Sequence, residues 1–329
     1  MKDAIPDMLT QARRVPMPVG LFTGRRTWLR RLVSWGTAAV NRAIDLMPIG
    51  RWLHRRIQKA LVFTPLELPL RDRSRGLHGL RIAFLSDLHA GSFMDERDLR
   101  RIFARVAAQK PDLVLFGGDL INTRERELLL FENALPMLKP PLGMYAVPGN
   151  HDLFWGKGLG LWSAFLRTHG VEVLENRGLR LTFHGTPFWL CGVDDLTEGE
   201  PDLRLALDGR NPDEPAILLS HHPDYFFEAA ACDVDLTLAG HTHGGQIRVR
   251  GKAPLHHSRF GFEQGWFREG DARLYVSRGV GVTFLPIRID APPEIPIVTL
   301  VASAGRENAS MRAAANLELR VEVGSSAPS

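Results

Sequence analysis

The chain has 329 residues, 44% hydrophobic and 24% charged, which is the apolar content of a globular protein with a sizeable core. Its net charge of +4 conceals an asymmetry. Residues 1–60 carry twelve Lys and Arg against three Asp, and the rest carries 29 basic and 34 acidic residues, so a basic nucleic-acid-binding face on the folded body is not expected. Two cysteines, Cys191 and Cys232, are too few for a disulfide framework, and each lies in an apolar run where a small buried hydrophobe is expected.

Residues 1–27 are rich in Pro, Gly and Arg and predict irregular chain. Over 28–47, apolar residues from Trp28 and Leu32 to Ile44 and Met47 recur at helical spacing, and Pro48 and Gly50 end the pattern. A second amphipathic stretch sets Trp52, Leu53, Ile57 and Leu61 against Arg51, Arg55, Arg56 and Lys59. No run approaches the roughly 18–20 uninterrupted apolar residues of a spanning helix. A basic, Trp-containing amphipathic helix suits an anionic membrane surface. The alternative is a helix packed on the catalytic body or on a second copy. Arg25-Arg26 before a short apolar stretch also admits an export signal. Residues 1–60 are therefore read as a basic amphipathic leader that meets a membrane surface through 28–60. The expected location is cytoplasmic, peripheral on the inner membrane, with export or anchoring through this segment as the alternative.

The body is expected over 61–302, and a poorly ordered tail over 303–329. Strand character appears at 61–70, 80–85, 113–116, 144–147, 171–174, 216–219 and 236–239, with a hairpin at 179–183 and 188–193. Helices are expected at 95–109, 125–138 and 162–169. Strands at 273–277 and 295–301 should complete a second sheet. Strands alternating with helices predict an α/β fold with a mixed sheet core.

The informative residues follow these strands. Ser86-Asp87-Leu88-His89 ends one, Gly117-Gly118-Asp119 another, and Gly149-Asn150-His151-Asp152 a third. Ser220-His221-His222-Pro223 and Gly240-His241-Thr242-His243 end two more. Ligands in α/β sheets bind at the carboxyl ends of strands, and the glycines allow the tight turns that aim a side chain. A lone Asp-x-His is weak evidence of a metal site, and five such segments after five strands are strong evidence. In an extended segment Asp87 and His89 would point the same way and share one metal. Asp119 can bridge two metals, Asn150 supplies a neutral oxygen, and His241 and His243 can reach different metals. His221, which leaves its strand first, is favoured over His222 as the further ligand. Asp152 and Asp224 are candidate acceptors for the second ring nitrogens of ligating histidines. Carboxylate, amide and imidazole donors without thiolates suit two divalent cations, manganese foremost and iron or zinc next. Phe154, Trp155 and Trp162 are either an apolar wall of the site or ordinary core.

These blocks resemble the calcineurin-like metallophosphoesterases over roughly residues 80–300. The resemblance implies a four-layer α/β/β/α sandwich, here with an N-terminal amphipathic helical extension. It implies one metal on Asp87, His89, Asp119 and His243, and another on Asp119, Asn150, His221 and His241. His151, Asn150 and Asp119 would be the catalytic residues, with His151 contacting phosphate and protonating the leaving group. The wording of residues 240–246, 275–281 and 292–296 is similar to a bacterial subgroup of membrane-associated or exported phosphodiesterases. That subgroup resembles the enzymes that cleave the pyrophosphate of UDP-2,3-diacylglucosamine. Arg278 and Arg288 are either bidentate phosphate contacts or loop and surface structure, and His222 is a further candidate substrate contact. The expected activity is hydrolysis of a phosphodiester or pyrophosphate bond by a metal-activated hydroxide, on a phosphate-ester substrate that is lipid-linked or otherwise amphiphilic. A phosphatase or cyclic nucleotide phosphodiesterase with a soluble substrate is the alternative, and a non-catalytic scaffold is disfavoured because every ligand position is filled.

Overall fold

In the computed structural model, which describes residues 47–302 except 92, 154–158, 255 and 284, together with Gly36 and Ile44, short apolar strands alternate with helices. In chain order the elements are α1 (Pro48–Lys59), β1 (Val62–Leu70), β2 (Arg81–Leu85), α2 (Glu96–Ala108), β3 (Leu113–Phe116), β4 (Met144–Ala146), α3 (Gly160–Thr168) and β5 (Val171–Val173). There follow β6 (Arg177–Phe183), β7 (Thr186–Gly192), α4 (Leu203–Ala206), β8 (Ala216–Leu219), α5 (Phe226–Ala231), β9 (Leu236–Ala239), β10 (Gly265–Glu269), β11 (Ala272–Val276) and β12 (Glu294–Ala302). The expected helix over 28–47, the Arg25-Arg26 pair, Phe154, Trp155 and the tail 303–329 lie outside the described residues, apart from Gly36, Ile44 and Met47.

Two six-stranded sheets form, ordered β1-β12-β2-β3-β4-β5 and β10-β11-β9-β8-β7-β6. Strands β2 to β5 are parallel neighbours, as are β7, β8, β9 and β11. The alternation of side chains along a strand sorts each one between two cores. Ile82, Phe84, Leu113 and Leu115 meet Ile217, Leu219, Leu236 and Leu238 between the sheets. Ala83, Leu85, Val114 and Phe116 face outward against Leu99, Ile102, Phe103 and Val106 of α2 and Trp162 and Leu166 of α3. On the far side, Cys191 and Leu218 pack with Leu203 and Ala206 of α4 and Ala229 of α5. Both faces of the central strands are covered, which is why they read as continuous apolar runs. The result is the four-layer α/β/β/α arrangement.

Three expectations need correction, and one left open is decided. Residues 125–138 form two 3-10 turns, Glu125–Phe131 and Leu135–Met137, and no continuous α-helix. Pro136 has no amide to donate to an α-helical ladder, and the Glu127 carboxylate accepts the amides of Asn122, Thr123 and Arg124 at 2.7–3.0 Å, which tightens the first turn. Strand β12 does not enter the second sheet. It inserts between β1 and β2 of the first, parallel to β1 and antiparallel to β2. Cys191 is buried as expected, but Cys232 is exposed at the carboxyl end of α5. Trp162 belongs to the core between α3 and the first sheet.

The second amphipathic stretch is α1. It docks on the body, with Ile57 against Phe93 and Val282 and the ring of His54 3.2 Å from Asp98. Its outer face keeps Trp52, Arg55, Arg56 and Lys59 exposed, with the Arg56 guanidinium 4.8 Å from the Trp52 ring centre. Among the described residues no helix is long and apolar enough to cross a membrane.

Candidate dimetal site

The ligand-bearing loops leave β2, β3, β4, β8 and β9 at their carboxyl ends, and backbone hydrogen bonds fasten them together. The Asp87 amide donates to Gly118 O, the His89 amide to Asp119 O, and the Gly240 amide to His221 O. The side chains converge for a reason other than strand alternation. Asp87, His89, Asp119, His241 and His243 all have φ between 47° and 71°. Left-handed backbone is uncommon and costly for residues with a Cβ, and it concentrates at functional sites. The extended geometry expected for Asp87 and His89 is therefore wrong, and successive left-handed turns bring the two side chains together.

Two groups of donors result. In the first, His243 Nε2 lies 3.4 Å from Asp87 Oδ1 and 3.1 Å from His89 Nε2, and His89 Nε2 lies 3.5 Å from Asp119 Oδ2. In the second, His221 Nε2 lies 3.3 Å from Asp119 Oδ2 and 3.3 Å from Asn150 Oδ1, and His241 Nδ1 lies 2.9 Å from Asn150 Oδ1. Asp119 is common to both. The seven residues expected as ligands are thus in one place. Asp87, His89 and His243, like Asp87, Asp119 and His221, bring their donor atoms within 4.8 Å of one another and could hold a metal ion.

The local chemistry fits divalent cations. His221 Nε2 and His241 Nδ1 are 3.3 Å apart, close to the 3.1 Å between His89 and His243. Two imidazole nitrogens that converge so closely repel unless a proton or a cation lies between them. The tautomer of His221 is set by its Nδ1–H, which donates to Gly117 O at 2.7 Å and leaves Nε2 aimed at Asp119 and Asn150. Burial, followed by the charges of neighbouring imidazoles, holds His89, His241 and His243 well below the usual imidazole range, the neutral form a ligand needs. Burial also opposes charge on Asp119 and His221, but their mutual attraction wins. His221 is raised well above its ordinary value, and Asp119, beside His221 and His151, is held far below its own. Burial raises Asp87 to about 6.

His151 flanks the first group, with its ring edge-on to His89 at 4.6 Å. Its Nδ1–H donates to Asn122 O at 2.6 Å, and its amide donates to Asp119 Oδ1 at 2.8 Å. The Nδ1 of His222 accepts the Asp224 amide at 3.2 Å, and its ring lies 4.3 Å from His241.

Several supporting roles differ from those expected. Among the described residues, Asp152 accepts from no histidine. Its carboxylate takes the amides of Leu120, Ile121 and Gly149 at 3.0–3.2 Å and so joins the loops after β3 and β4. Asp224 accepts from Ser258 and the Arg259 amide. Arg288 points inward and donates to the carbonyls of His243, Arg278, Gly279, Gly281 and Ala291, and burial lowers it to about 9. Arg278 is held by Glu294 at 3.0 Å and by Pro292 O at 2.9 Å. Two residues went unnoticed in the sequence: Ser86, whose hydroxyl donates to Asp87 Oδ2 at 2.5 Å, and Glu127, whose carboxylate holds the Asn122 segment behind His151. Ser86 was visible as the neighbour of Asp87, whereas nothing in the sequence marked Glu127.

Comparison with known proteins places these segments in a family. The model of the calcineurin-like phosphoesterases matches residues 80–245. An uncharacterized metallophosphoesterase of Bacillus subtilis, YkuE, is 32% identical over 231 residues, 68% of this chain and 80% of its own length. A Danio rerio protein named as a transmembrane protein with a metallophosphoesterase domain is 33% identical over 251 residues, 71% of this chain and 56% of its own length. This chain thus spans little more than half of that vertebrate relative. The solved structure of TT1561 from Thermus thermophilus aligns with a TM-score of 0.41 and 16% identity, over 60% of this chain and 88% of that one.

Proposed function

This chain belongs to the calcineurin-like phosphoesterase family, and on that premise we propose that its two donor groups, joined by Asp119, hold two divalent cations that serve hydrolysis of a phosphodiester or diphosphate bond. The chain is a metallophosphoesterase, a hydrolase of phosphoric esters. The observation that carries the reading of the site is the convergence of imidazole nitrogens at 3.1–3.3 Å around shared carboxylates.

Asp87, His89, Asp119 and His243 would hold one cation, and Asp119, Asn150, His221 and His241 the other. The oxygen and imidazole donors suit manganese, and also iron or zinc. When bound, the cations supply positive charge to the phosphate and make hydroxide available near neutral pH. Gly117 O fixes the ring of His221, and Ser86 fixes the carboxylate of Asp87. His151, oriented by Asn122 O, places its second ring nitrogen for a proton transfer to the leaving oxygen.

The substrate is proposed to be amphiphilic, of the kind represented by UDP-2,3-diacylglucosamine, and to be met at a membrane surface. The basic segment 1–60, the exposed Trp52, Arg55, Arg56 and Lys59 of α1, and relatives named as transmembrane proteins support this. Each Lys or Arg near an anionic surface contributes about 1 kcal/mol. The division into a leader (1–60), a catalytic body (61–302) and a tail (303–329) is part of the same proposal, with the leader's last helix docked on the body.

Manganese-loaded protein would be tested on bis-p-nitrophenyl phosphate, p-nitrophenyl phosphate and a UDP-linked acylated sugar in mixed micelles, with Asn150→Ala alongside. Hydrolysis that falls by more than about 100-fold in the variant is expected, since loss of even outer-shell partners costs about 10–100-fold. Equal rates in the variant would remove the dimetal reading, and preference for a soluble ester would remove the lipid one. Sedimentation with anionic vesicles, weakened by Trp52→Ser with Arg56→Glu, tests the surface.

A further inference from the structure

The stretch 247–262, between the last ligand segment and Glu263, contains Arg248, Arg250, Lys252, His256, His257 and Arg259 and no acidic residue. It stands out on a body that is otherwise mildly acidic. Its second half is fastened to both ligand segments of the second donor group. Thr242, between His241 and His243, donates its hydroxyl to Glu263 O at 2.6 Å. Asp224, just beyond His222, accepts the Ser258 hydroxyl and the Arg259 amide. Ser258 Oγ in turn accepts the amides of Phe260 and Phe262 at 3.0–3.1 Å. The Glu263 carboxylate, itself largely buried, lies 3.2 Å from His256 Nδ1 and accepts the His257 amide at the same distance.

These bonds fix His257 in place while leaving its side chain exposed. Its ring stands 6.3 Å from that of His241, nearly perpendicular to it. Among the described residues no hydrogen bond engages its ring nitrogens. His151 flanks the opposite group of donors, beside His89. His222 also lies against His241, but its Nδ1 accepts the Asp224 amide, and His257 has no part in the chemistry derived above.

We propose that His257, with Arg259 in the same turn, binds a second phosphate of the substrate, adjacent to the one that is cleaved, and so makes the site selective for diphosphate-linked substrates over simple diesters. The inference rests on the dimetal reading of the site. An exposed imidazole held on a rigid turn loses little freedom on binding, and the exposed cations Arg250, Lys252 and Arg259 raise the local concentration of a polyanion.

The test uses UDP and UMP as competitive inhibitors of bis-p-nitrophenyl phosphate hydrolysis by the manganese-loaded full chain at constant free manganese. UDP is expected to bind more tightly than UMP. His257→Ala should raise the Ki of UDP about tenfold, the value of one charge-assisted hydrogen bond, and that of UMP much less. His257→Gln, which keeps a donor, should recover part of the difference. Equal changes for UDP and UMP, or none for either, would overturn the inference while leaving the hydrolytic site intact. Absence of diester hydrolysis in the wild type would instead remove the reading beneath it, and the inference with it.

Discussion

Gly279, in the turn after β11, offers a quantitative test of how tightly the first donor group is built. Its φ is +66°, and a Cβ added there would lie 2.6 Å from Asp87 Cβ, 3.0 Å from Asp87 Oδ2 and 3.1 Å from Asp87 Cγ. Non-bonded carbons prefer about 3.5–4.0 Å, so Gly279→Ala must move one of the two segments by about 1 Å. Relaxation by the turn is resisted, because Gly279 O accepts the Glu294 amide at 2.9 Å and a contact from Arg288. The left-handed backbone adds about 1–2 kcal/mol for a residue with a Cβ. The Asp87 carboxylate then shifts relative to His89 and His243. A displacement of about 1 Å in a catalytic constellation costs about 100-fold, or about 2.7 kcal/mol of barrier. Gly79→Ala is the control, since Gly79 has φ +91° with nothing within 4 Å of an added Cβ, so it isolates the backbone cost. The assay combines kcat/KM on bis-p-nitrophenyl phosphate, bound metal measured by mass spectrometry and a thermal melt. Gly279→Ala should lose about 100-fold in kcat/KM and release the cation of the Asp87 group, while that of the Asn150 group stays. Gly79→Ala should melt a few degrees earlier, at about 2–4 °C per kcal/mol, with its activity kept. If both variants melt alike and hydrolyse alike, the close approach of Gly279 to Asp87 does not govern the site.

Two further outcomes follow from the same geometry. Glu127→Ala deprives the Thr123 and Arg124 amides of their acceptor, while the Asn122 amide keeps Ala90 O at 3.0 Å, and should cost about 1–2 kcal/mol of stability; because the Asn122 carbonyl orients His151, kcat should fall about tenfold with little change in KM, and an unchanged kcat beside a lowered melting temperature would refute the link. His221 titrates well above the ordinary imidazole range, so metal-free protein carries its proton at pH 7 and must release it when Nε2 takes a cation, whereas His89, His241 and His243, held low, release none and Asp87, at about 6, is mostly ionised already. Manganese binding should therefore release about one proton at pH 7, and fewer as the pH rises past the His221 value; calorimetry in buffers of different ionisation enthalpy measures this, and release of none, or of one per histidine, would contradict the assignment.

The sequence by itself located the donors, because the strands that carry them are buried on both faces and so appear as apolar runs ending abruptly in glycine and ligand residues. Ile82 to Leu85 before Ser86-Asp87, and Leu236 to Ala239 before Gly240-His241, are legible in that way. Helix α2 was equally plain, since Leu99, Ile102, Phe103 and Val106 form one apolar face. What the sequence did not contain were facts that depend on residues distant in the chain. β12 joins the first sheet because it pairs with β1 and β2, more than two hundred residues earlier, and no local pattern distinguishes the two sheets. Arg278 and Arg288 had the chemistry of phosphate ligands, but Glu294 and a ring of carbonyls engage them, and only packing supplies those partners. Asp152 lies beside His151 in sequence, yet its carboxylate faces the amides of Leu120 and Ile121. The left-handed turns at Asp87, His89, Asp119, His241 and His243 were likewise decided by tertiary structure, because a backbone that is unfavourable residue by residue persists only where the loops around it hold it in place.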